Sequence, residues 1–471
     1  MSENFYITTT LPYVNASPHI GFALEIIEAD IIARYHREIL QQRVIFNTGT
    51  DEHGQKIADQ AQAAQLSPQD YCDNWTKKFQ NLKDQLNLTN THFIRTSSPS
   101  HQVAAQEFWR RCLKNGDIYK ANYPIKYCVG CELAKKANEL VNNRCPLHPQ
   151  QELELREEEN YFFKFSRYQK NLLKLYQSQA DFVKPASRFN EIKAFVKAGL
   201  EDFSISRLKK NMSWGVAVPG DDEHVMYVWF DALINYISAL GWPNEIETFQ
   251  KFWPAVQVAG KDNLRQQAAM WQAMLMSAGL ANSKQILING FIGVDGQKMS
   301  KSLGNVIKPK EMVERYGVDA SRYLLIKLGV FSEDMDVSWQ KFDTSYNAFL
   351  ANGLGNLCSR LAKMANSQNI SINYQAQVSE EFKKYMNNYD LTQALNLLDK
   401  GLSKLDQYLA KEKPWLNENS NQKEVLTKAI HTLLDINQSL QIFMPETAET
   451  IEKNFNQNSI SPFTQGLFKR I

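Results

Sequence analysis

The order of elements in the first fifty residues constrains the fold more than any other feature of this sequence. Residues 5–10 are β-branched and aromatic, which is typical of a strand. Within residues 24–40, Ile27 and Ile31 begin a series of apolar residues four positions apart, which indicates a helix. Residues 44–47 are strand-like again. Strand, helix and strand in this order predict an α/β fold with a doubly wound parallel sheet, whose ligands bind beyond the carboxyl ends of the strands.

The remainder of the chain changes character twice, which predicts further domains. One region is rich in charge and contains a group of cysteines, so we interpret it as an insertion. The α/β pattern resumes at residues 227–231 and 255–260. After Phe342 the helical periodicity is interrupted by only three prolines, which is typical of an all-α bundle. The predicted boundaries are 1–114 for the first half of the α/β domain, 115–213 for the insertion, 214–285 for the second half, 286–342 for a connecting region and 343–471 for the helical bundle.

Composition narrows the class of protein. The 471 residues are 43% hydrophobic, which is enough for large cores, and 53 basic residues nearly balance 51 acidic ones. The formal charge of +2 neither requires nor excludes a nucleic-acid partner, because such binding depends on a local basic surface. The N-terminus lacks the layout of a signal peptide, and no window has the ~18 uncharged apolar residues of a membrane helix. These features predict a cytoplasmic protein with no membrane partner.

A histidine-containing turn precedes the predicted helix and is suited to bind phosphate. The segment Pro-His-Ile-Gly-Phe occupies residues 18–22. A helix N-terminus carries unpaired N–H groups and partial positive charge, so it attracts anions. The His19 imidazole can donate to a phosphate oxygen, and Gly21 permits close approach of the backbone to a ligand. A histidine in such a turn also has purely structural roles, so this segment is a weak indication alone.

A lysine-containing loop strengthens the phosphate interpretation. The segment Lys-Met-Ser-Lys-Ser occupies residues 298–302, after a predicted turn at Asp295 and Gly296. Ammonium groups on Lys298 and Lys301 can neutralise the charge that develops on a triphosphate as pyrophosphate leaves. The alternative is a solvated basic loop. Together the two segments predict an enzyme that uses ATP to activate a carboxylic acid, such as an amino acid.

Four residues of the insertion have the spacing of a metal site. Cys128 and Cys131 form one pair, and Cys145 and His148 form a second pair after thirteen intervening residues. Each short pair can hold one side of a tetrahedral ion, and thiolate with imidazole ligation suits Zn²⁺. The alternative is that all four are ordinary buried residues. Because all four positions would be filled by protein ligands, we predict a structural site with one zinc per chain.

These segments resemble known sequence motifs. Residues 18–22 and 298–302 are similar to the HIGH and KMSKS motifs of class I aminoacyl-tRNA synthetases. Residues 10–22, 49–54 and 227–232 resemble the methionyl-tRNA synthetase family in particular. The resemblance covers essentially the whole chain. It implies a Rossmann-like catalytic domain with a zinc-binding insertion, a connecting region that contacts the tRNA stem, and an anticodon-binding helical bundle.

The resemblance also implies a reaction, its partners and its site residues. L-Methionine and Mg²⁺-bound ATP would form methionyl-adenylate, and the methionyl group would pass to the 3′ end of tRNA(Met), including the initiator tRNA. The implied ATP-binding residues are His19, Gly21, Lys261, Asp262, Lys298 and Lys301, of which His19, Lys298 and Lys301 would be catalytic. The implied methionine-binding residues are Leu11, Tyr13, Asp51, Trp229, Ala232, Leu233 and Tyr236, with Asp51 holding the ammonium group. The residues implied to read a CAU anticodon are Asn356, Arg360 and Trp415, the last at a helix start.

Two positions depart from the family pattern. Phe22 stands where histidine or asparagine is commonest, and a phenyl ring cannot donate a hydrogen bond. Asn289 stands where the family often has a histidine near the amino-acid site; asparagine keeps donor and acceptor capacity but does not titrate. Because His19 and the lysine loop remain, we expect activity to remain. Ile234, beside the implied pocket, is expected to pack in the core.

Two other functions remain open from the sequence alone. One is a class I synthetase for another amino acid. Enzymes for valine, isoleucine or leucine usually have much longer insertions, and a cysteine enzyme would bind substrate through its own zinc. The other is a catalytically silent paralogue that only binds tRNA, which Phe22 alone supports. No segment after the bundle is long enough for the dimerising tRNA-binding domain of some family members, so a monomer is expected.

Overall fold

The computed structural model describes residues 4–131, 133–135, 140–300, 303–329, 333–416 and 421–471. Its strands are, in chain order, β1 (Asn4–Thr9), β2 (Arg43–Thr50), β3 (His92–Arg95), β4 (Ile118–Cys128), β5 (Leu133–Lys135), β6 (Glu154–Phe163), β7 (Val183–Lys184), β8 (Phe203–Ser204), β9 (Ser206–Leu208), β10 (Ala217–Val218), β11 (Asp221–Met226), β12 (Val256–Gly260), β13 (Gln285–Asn289), β14 (Ile292–Val294), β15 (Gln297–Lys298) and β16 (Met335–Val337). Its α-helices are α1 (Ile20–Arg34), α2 (Gln55–Ala63), α3 (Pro68–Gln80), α4 (Leu82–Gln85), α5 (Pro99–Lys114), α6 (Gln169–Ser178), α7 (Ala186–Lys197), α8 (Val228–Ala232), α9 (Asn235–Ser238), α10 (Ile246–Phe252), α11 (Trp271–Ser277), α12 (Pro309–Tyr316), α13 (Val318–Leu328), α14 (Trp339–Ser345), α15 (Asn356–Ser367), α16 (Glu380–Asn387), α17 (Leu391–Glu412), α18 (Gln422–Leu440) and α19 (Pro445–Phe455). Shorter helical turns are π-helical at Tyr35–Ile39, Gln266–Met270 and Tyr346–Gly355, and 3₁₀-helical at Phe165–Tyr168 and Lys261–Asn263.

The central sheet has the strand order β3-β2-β1-β12-β13-β7, and every neighbouring pair is parallel. From β1 the chain builds the sheet toward β3, and from β12 it builds in the opposite direction. The loops that follow β1 and β12 therefore diverge and leave a crevice between them. The doubly wound α/β fold predicted from the sequence is confirmed. The predicted first helix is α1, which continues as a π-helical turn to Ile39.

Alternate residues of the sheet contribute to two separate apolar cores, as expected for a sheet covered on both faces. In β1, Phe5 and Ile7 belong to the first core and Tyr6 belongs to the second. In β13, Leu287 belongs to the first core and Ile286 to the second. The first core continues into the helical C-terminal region, whereas the second lies under α5 and α11.

Helix α1 lies inside the first core, so it buries charged side chains as well as apolar ones. Asp30 accepts from Arg34 Nε and from Arg322 Nη2, both at 2.8 Å. Arg322 also donates to the carbonyl oxygen of Phe443 at 2.9 Å, in the turn before α19. Burial alone would raise the pKa of Asp30, but the two guanidinium groups lower it below its ordinary value. This network joins α1 to the helical C-terminal region.

Three smaller sheets surround the central one: the antiparallel sheet β5-β4-β6-β8, the antiparallel sheet β10-β11-β9, and the mixed sheet β15-β14-β16. Residues 183–184, inside the range interpreted as the insertion, form the edge strand β7 of the central sheet. The domain boundaries themselves stay predictions. Beyond β16 the elements of secondary structure in the described chain are all helices, as predicted, although residues 370–379 and 456–471 are not helical. In the described ranges, no helix is long and apolar enough to cross a membrane.

Candidate active site and metal centre

A cavity of about 340 Å³ lies in the crevice beyond the carboxyl ends of β1 and β12. Five separate segments line it, because the elements that meet here are distant in sequence. All seven residues predicted to bind methionine are among the lining residues. The lining consists of Thr10, Leu11, Tyr13, Asn15, Asp51, Lys56, Gly130, Cys131, Val228, Trp229, Ala232, Leu233, Asn235, Tyr236, Asp262, Asn263 and Gln267.

Backbone and side-chain hydrogen bonds hold the walls of the cavity. The Asp51 N–H donates to the carbonyl of Pro12 at 3.0 Å, and the Asp51 carbonyl accepts from the Val14 N–H at 3.2 Å. These bonds fix the end of β2 to the loop after β1. On the opposite wall, the Tyr236 hydroxyl accepts from Gln267 Nε2 at 2.5 Å. Ile234 is fully buried in the second core, as expected.

A buried histidine–aspartate–histidine group, which sequence reasoning missed, lies behind the cavity. His53 Nδ1 donates to Asp231 Oδ2 at 2.5 Å, and His101 Nε2 donates to Asp231 Oδ1 at 2.9 Å. The other nitrogen of His101 lies 2.9 Å from the Ser238 hydroxyl. Burial alone would raise the pKa of Asp231, but the two imidazoles together have the larger effect and lower it to about 2. The carboxylate is therefore ionised.

Two buried carboxyl groups of α1 support the crevice from the other side. Glu25 accepts from both the N–H and the hydroxyl of Thr10, at 2.7 and 2.6 Å. Burial raises the pKa of Glu25 to about 8. Glu28 accepts a hydrogen bond from Asn289 Nδ2, and burial also raises the pKa of Glu28. Asn289 therefore contacts α1, and it is not among the residues that line the cavity.

The turn that precedes α1 has the geometry of an anion site. His19 is the N-cap of α1, and its Nδ1 accepts from the Gly21 N–H at 3.1 Å. In a neutral imidazole this assigns the ring proton to Nε2, which is then the donor for an anion. A Cβ at Gly21 would lie 2.9 Å from His19 Cε1 and 3.7 Å from Met299 Cε. Glycine thus allows the histidine ring to lie against the helix, and the lysine loop adjoins the same turn.

Phe22 points toward the core. Its ring meets the ring of Phe79 edge-on, with centroids 5.8 Å apart. It packs against the first core together with Met299. The departure from the family pattern at this position is accommodated by an apolar contact between α1 and α3.

Asn305 contacts both ends of the described part of the lysine loop, residues 298–300. Asn305 Nδ2 donates to the carbonyl of Lys298 at 3.2 Å, and Asn305 Oδ1 accepts from the Ser300 N–H at 2.9 Å. Asn305 was not identified from the sequence, where it is one of many asparagines. The predicted residue Lys301 lies outside the described residues.

Two predicted phosphate-binding lysines approach one aromatic ring. The Nζ atoms of Lys261 and Lys298 lie 4.1 and 5.9 Å from the ring centroid of Phe291. Lys261 also forms an ion pair with Asp334, with a shortest distance of 2.6 Å. Asp262 lines the cavity next to Lys261. Two ammonium groups therefore lie where the cavity meets the lysine loop, and one of them is paired with Asp334.

The structure brings the four predicted metal ligands together. Their ligand atoms all lie within 4.8 Å of one another. Cys131 Sγ lies 3.3 Å from Cys145 Sγ and 3.2 Å from His148 Nδ1. Tetrahedral zinc would separate such atoms by roughly 3.5 Å, given its bond lengths to sulfur and nitrogen. A Cβ at Gly130 would lie 2.5 Å from the His148 ring, so only glycine permits this approach. The donor set could hold a metal ion such as zinc.

The predicted anticodon-binding residues lie on the helical C-terminal region. Asn356 begins α15 and is exposed, and Arg360 forms a 3.0 Å ion pair with Asp406 of α17. Trp415 is 47% exposed. The expectation that Trp415 stands at a helix start is wrong: it lies in the turn after α17, because Lys413 adopts a left-handed conformation with φ 45°.

Comparison with known proteins identifies similar chains along nearly the whole length. A family model described as tRNA synthetases class I (M) matches residues 5–148 and 131–362. A methionine–tRNA ligase of Thermosynechococcus vestitus is 48% identical over 371 residues, 78% of this chain and 70% of that protein. One from Thermotoga maritima is 40% identical over 97% of this chain and 75% of that protein. The structure of Mycobacterium tuberculosis methionyl-tRNA synthetase in complex with methionyl-adenylate superposes with a TM-score of 0.91, at 33% identity and over 99% of this chain and 100% of that one.

Proposed function

We propose that this chain, which belongs to the class I methionyl-tRNA synthetase family, is a methionine–tRNA ligase. It activates L-methionine with ATP to methionyl-adenylate and transfers the methionyl group to the 3′ end of tRNA(Met), for translation initiation and elongation. The observation that carries the proposal is the cavity at the crevice of the sheet, which all seven candidate methionine residues line. The synthetases for other amino acids are excluded as alternatives by the family match.

The cavity fits a small amphiphilic substrate. Asp51 provides a buried carboxylate for the ammonium group, and a charge-assisted bond of this kind is strong in a buried site. Trp229 and Tyr236 provide aromatic surfaces for the thioether, whose sulfur makes favourable contacts with ring edges. The carboxylate of methionine then faces the loop after β1 and the start of α1, where ATP binds.

Activation is an in-line attack of the methionine carboxylate on the α-phosphate of ATP, with loss of pyrophosphate. His19 Nε2 donates to a phosphate oxygen, and the N-terminus of α1 adds its partial positive charge. Lys298 and Lys301 neutralise the charge that accumulates on the leaving pyrophosphate. Gly21 gives the nucleotide room to approach the backbone, Asp262 accepts from the ribose hydroxyls, and Lys261 contributes charge. No covalent enzyme intermediate is needed, because the carboxylate itself is the nucleophile.

Two metal ions belong to this proposal. Mg²⁺ enters with ATP as part of the substrate and reduces its charge. Cys128, Cys131, Cys145 and His148 would hold Zn²⁺, which would supply a structural cross-link in the insertion. Because Gly130 and Cys131 also line the cavity, the cross-link holds one edge of the amino-acid site.

The anticodon loop of tRNA(Met) is recognised by the helical C-terminal region. An exposed indole is a stacking surface for an unpaired base, which supports this role for Trp415. Asn356 and Arg360 lie one turn apart on α15 and can hydrogen-bond base edges. A cytoplasmic location and a monomeric state complete the proposal, and sedimentation at micromolar concentration tests the second.

Methionine-dependent exchange of pyrophosphate into ATP tests the catalytic assignment. Lys298→Ala should lower the exchange rate about 100-fold, because one positive group is lost where charge develops. Lys310→Ala is the matched control: Lys310 is exposed on α12, where it pairs with Glu314, and its loss should leave exchange unchanged. Exchange at the wild-type rate in Lys298→Ala would contradict the assignment. Wild-type protein that binds tRNA but forms no adenylate would favour the silent paralogue.

The two half-reactions separate the anticodon role from catalysis. Trp415→Ala should lower the charging efficiency with tRNA(Met) about tenfold or more and leave pyrophosphate exchange intact, since stacking contributes substantially to base recognition. Leu416 is equally exposed, at 47%, but has no aromatic face, so Leu416→Ala should change charging little. An equal loss in both assays for Trp415→Ala would exclude the anticodon role.

A further inference from the structure

We infer that His53, Asp231 and His101 act as a positioning clamp that sets the width of the methionine cavity. This inference rests on the proposed function, because it deepens the role of that same cavity. None of the three residues lines the cavity, and none would touch the substrate. His53 and Asp231 are nevertheless near neighbours in sequence of residues that do, and His101 is hydrogen-bonded to Asp231. The clamp would therefore act on methionine binding through the residues it positions.

The clamp joins the two walls that hold opposite ends of methionine. His53 follows Asp51, the proposed ammonium ligand, by two residues at the end of β2. Asp231 lies on α8 between Trp229 and Ala232, on the wall proposed for the side chain. The 2.5 Å bond between His53 Nδ1 and Asp231 Oδ2 therefore spans the cavity from behind.

His101 attaches this pair to a rigid platform. It lies on α5, which packs into the second core: the rings of Phe108 and Trp109 meet the ring of Phe230 with centroids 5.9 and 5.3 Å apart. His101 Nε2 donates to the second oxygen of Asp231, and its Nδ1 lies within hydrogen-bond distance of the Ser238 hydroxyl, at 2.9 Å. Through Ser238 the clamp also reaches α9, which carries Tyr236.

The hydrogen bonds of the clamp fix the orientation of the Asp231 carboxylate. The side chains of His53, Asp231 and His101 are at most 2% exposed. A buried carboxylate is stable only when its oxygens are hydrogen-bonded, and here each oxygen accepts from one imidazole. Two ring donors on opposite oxygens allow only one orientation of the carboxylate. The orientation of Asp231 in turn determines the rotation of α8, and so where the Trp229 ring meets the substrate.

Loss of the clamp should affect methionine binding selectively. Asp231→Asn preserves volume but places an amide group where one imidazole must donate. The KM for methionine should rise about tenfold or more, since small displacements in a binding site have large effects. The KM for ATP should stay within about twofold, because the proposed nucleotide site is built on α1 and the lysine loop. A purely structural role would instead reduce the active fraction and leave both KM values unchanged.

A graded pair of variants provides a second measurement should Asp231→Asn fold poorly. His101→Gln keeps an N–H donor close to the position of the imidazole Nε2, so the methionine KM should stay within about threefold of wild type. His101→Leu removes the donor and should raise the methionine KM about tenfold. A wild-type methionine KM in His101→Leu would overturn the clamp.

Asp117→Asn controls for the loss of any buried carboxylate. The Asp117 side chain is fully buried and accepts from Ser277 and Arg167, at 2.8 and 2.7 Å, and from Tyr168 and Asn115, none of which lines the cavity. This variant should lower the melting temperature and leave the methionine KM unchanged. If the methionine KM rose equally in Asp117→Asn and Asp231→Asn, the clamp would be overturned and the proposed function would stand. Absence of methionine-dependent exchange in the wild-type protein would overturn the proposed function and the clamp with it.

Discussion

The metal cluster and the cavity are adjacent, yet they are built in opposite ways. The four cluster ligands come from residues 128–148, and neither of the two large cores contains Cys128 or Cys145. The cavity takes its walls from the ends of strands that are more than two hundred residues apart, and it lies between both cores. One site is a local structure held by four side chains, whereas the other depends on the packing of the whole α/β domain.

This difference predicts how each site responds to damage. A local site loses its ion when one ligand is lost, because metal binding supplies the free energy that orders it. A site built on a packed core keeps its shape when a lining residue changes, so the effect is confined to the chemistry of that residue. The two sites meet at Gly130 and Cys131, which belong to the candidate metal-binding turn and also line the cavity. Loss of metal should therefore reach the cavity, but only at this edge.

The largest effect is expected at Asp51. Asp51→Asn removes the charge that pairs with the methionine ammonium group and keeps the shape of the side chain. Methionine-dependent pyrophosphate exchange, measured as kcat/KM for methionine, should fall about 100-fold or more, since losing one partner of a buried charge pair costs 2–5 kcal/mol. The zinc content should stay at about one per chain.

Asp59→Asn is the matched control, because Asp59 is an exposed aspartate on the neighbouring helix α2, hydrogen-bonded to Gln55. It should leave both exchange and zinc content unchanged. Loss of zinc in Asp51→Asn would show that the two sites are not separable and would contradict the comparison.

A smaller effect on activity is expected at the metal cluster. Cys145→Ser replaces a fully buried thiol with a hydroxyl, which is a poor ligand for zinc. Elemental analysis should show zinc well below one per chain. The KM for methionine should rise less than about tenfold, because the remaining walls of the cavity are held by the cores.

Cys112→Ser controls for the loss of a buried thiol, since Cys112 lies in the second core away from the cluster. It should retain zinc and the wild-type methionine KM. Full retention of zinc by Cys145→Ser would exclude the proposed ligand set. If exchange in Cys145→Ser fell as far as in Asp51→Asn, the whole cavity, and not only one edge of it, would depend on the metal.

The same difference explains what could be predicted from the sequence. The four candidate metal ligands could be recognised because their short spacing along the chain brings them together in space. The strand–helix–strand unit and the turn at His19 are likewise determined by neighbouring residues. The expected parallel sheet, and the grouping of Leu11, Asp51 and Trp229 beyond its strands, follow from such local patterns and the resemblance together.

Contacts between distant residues could not be predicted in this way. His53 and His101 are separated from Asp231 by 178 and 130 residues, and nothing in their local sequence indicates that they meet. The turn at Trp415 escaped prediction for another reason. It depends on Lys413 at φ 45°, a conformation that residues other than glycine rarely adopt, so sequence preferences favoured a different backbone.

The smallest effect is expected at Glu25, a buried residue that accepts two hydrogen bonds from Thr10 in the cavity wall. This prediction tests whether the packed interior supports the cavity wall through Glu25. Because burial raises its pKa to about 8, the folded protein keeps Glu25 protonated at a pH where the unfolded chain has released the proton. Its contribution to stability is therefore fully present below about pH 4.5 and is lost as the pH rises through about 8. Glu25→Gln does not titrate, so its melting temperature relative to wild type should rise by about a few degrees between pH 5.5 and 8.5. The exposed control Glu314→Gln should follow wild type at both pH values, and a constant difference for Glu25→Gln would mean that Glu25 is ionised in the folded protein.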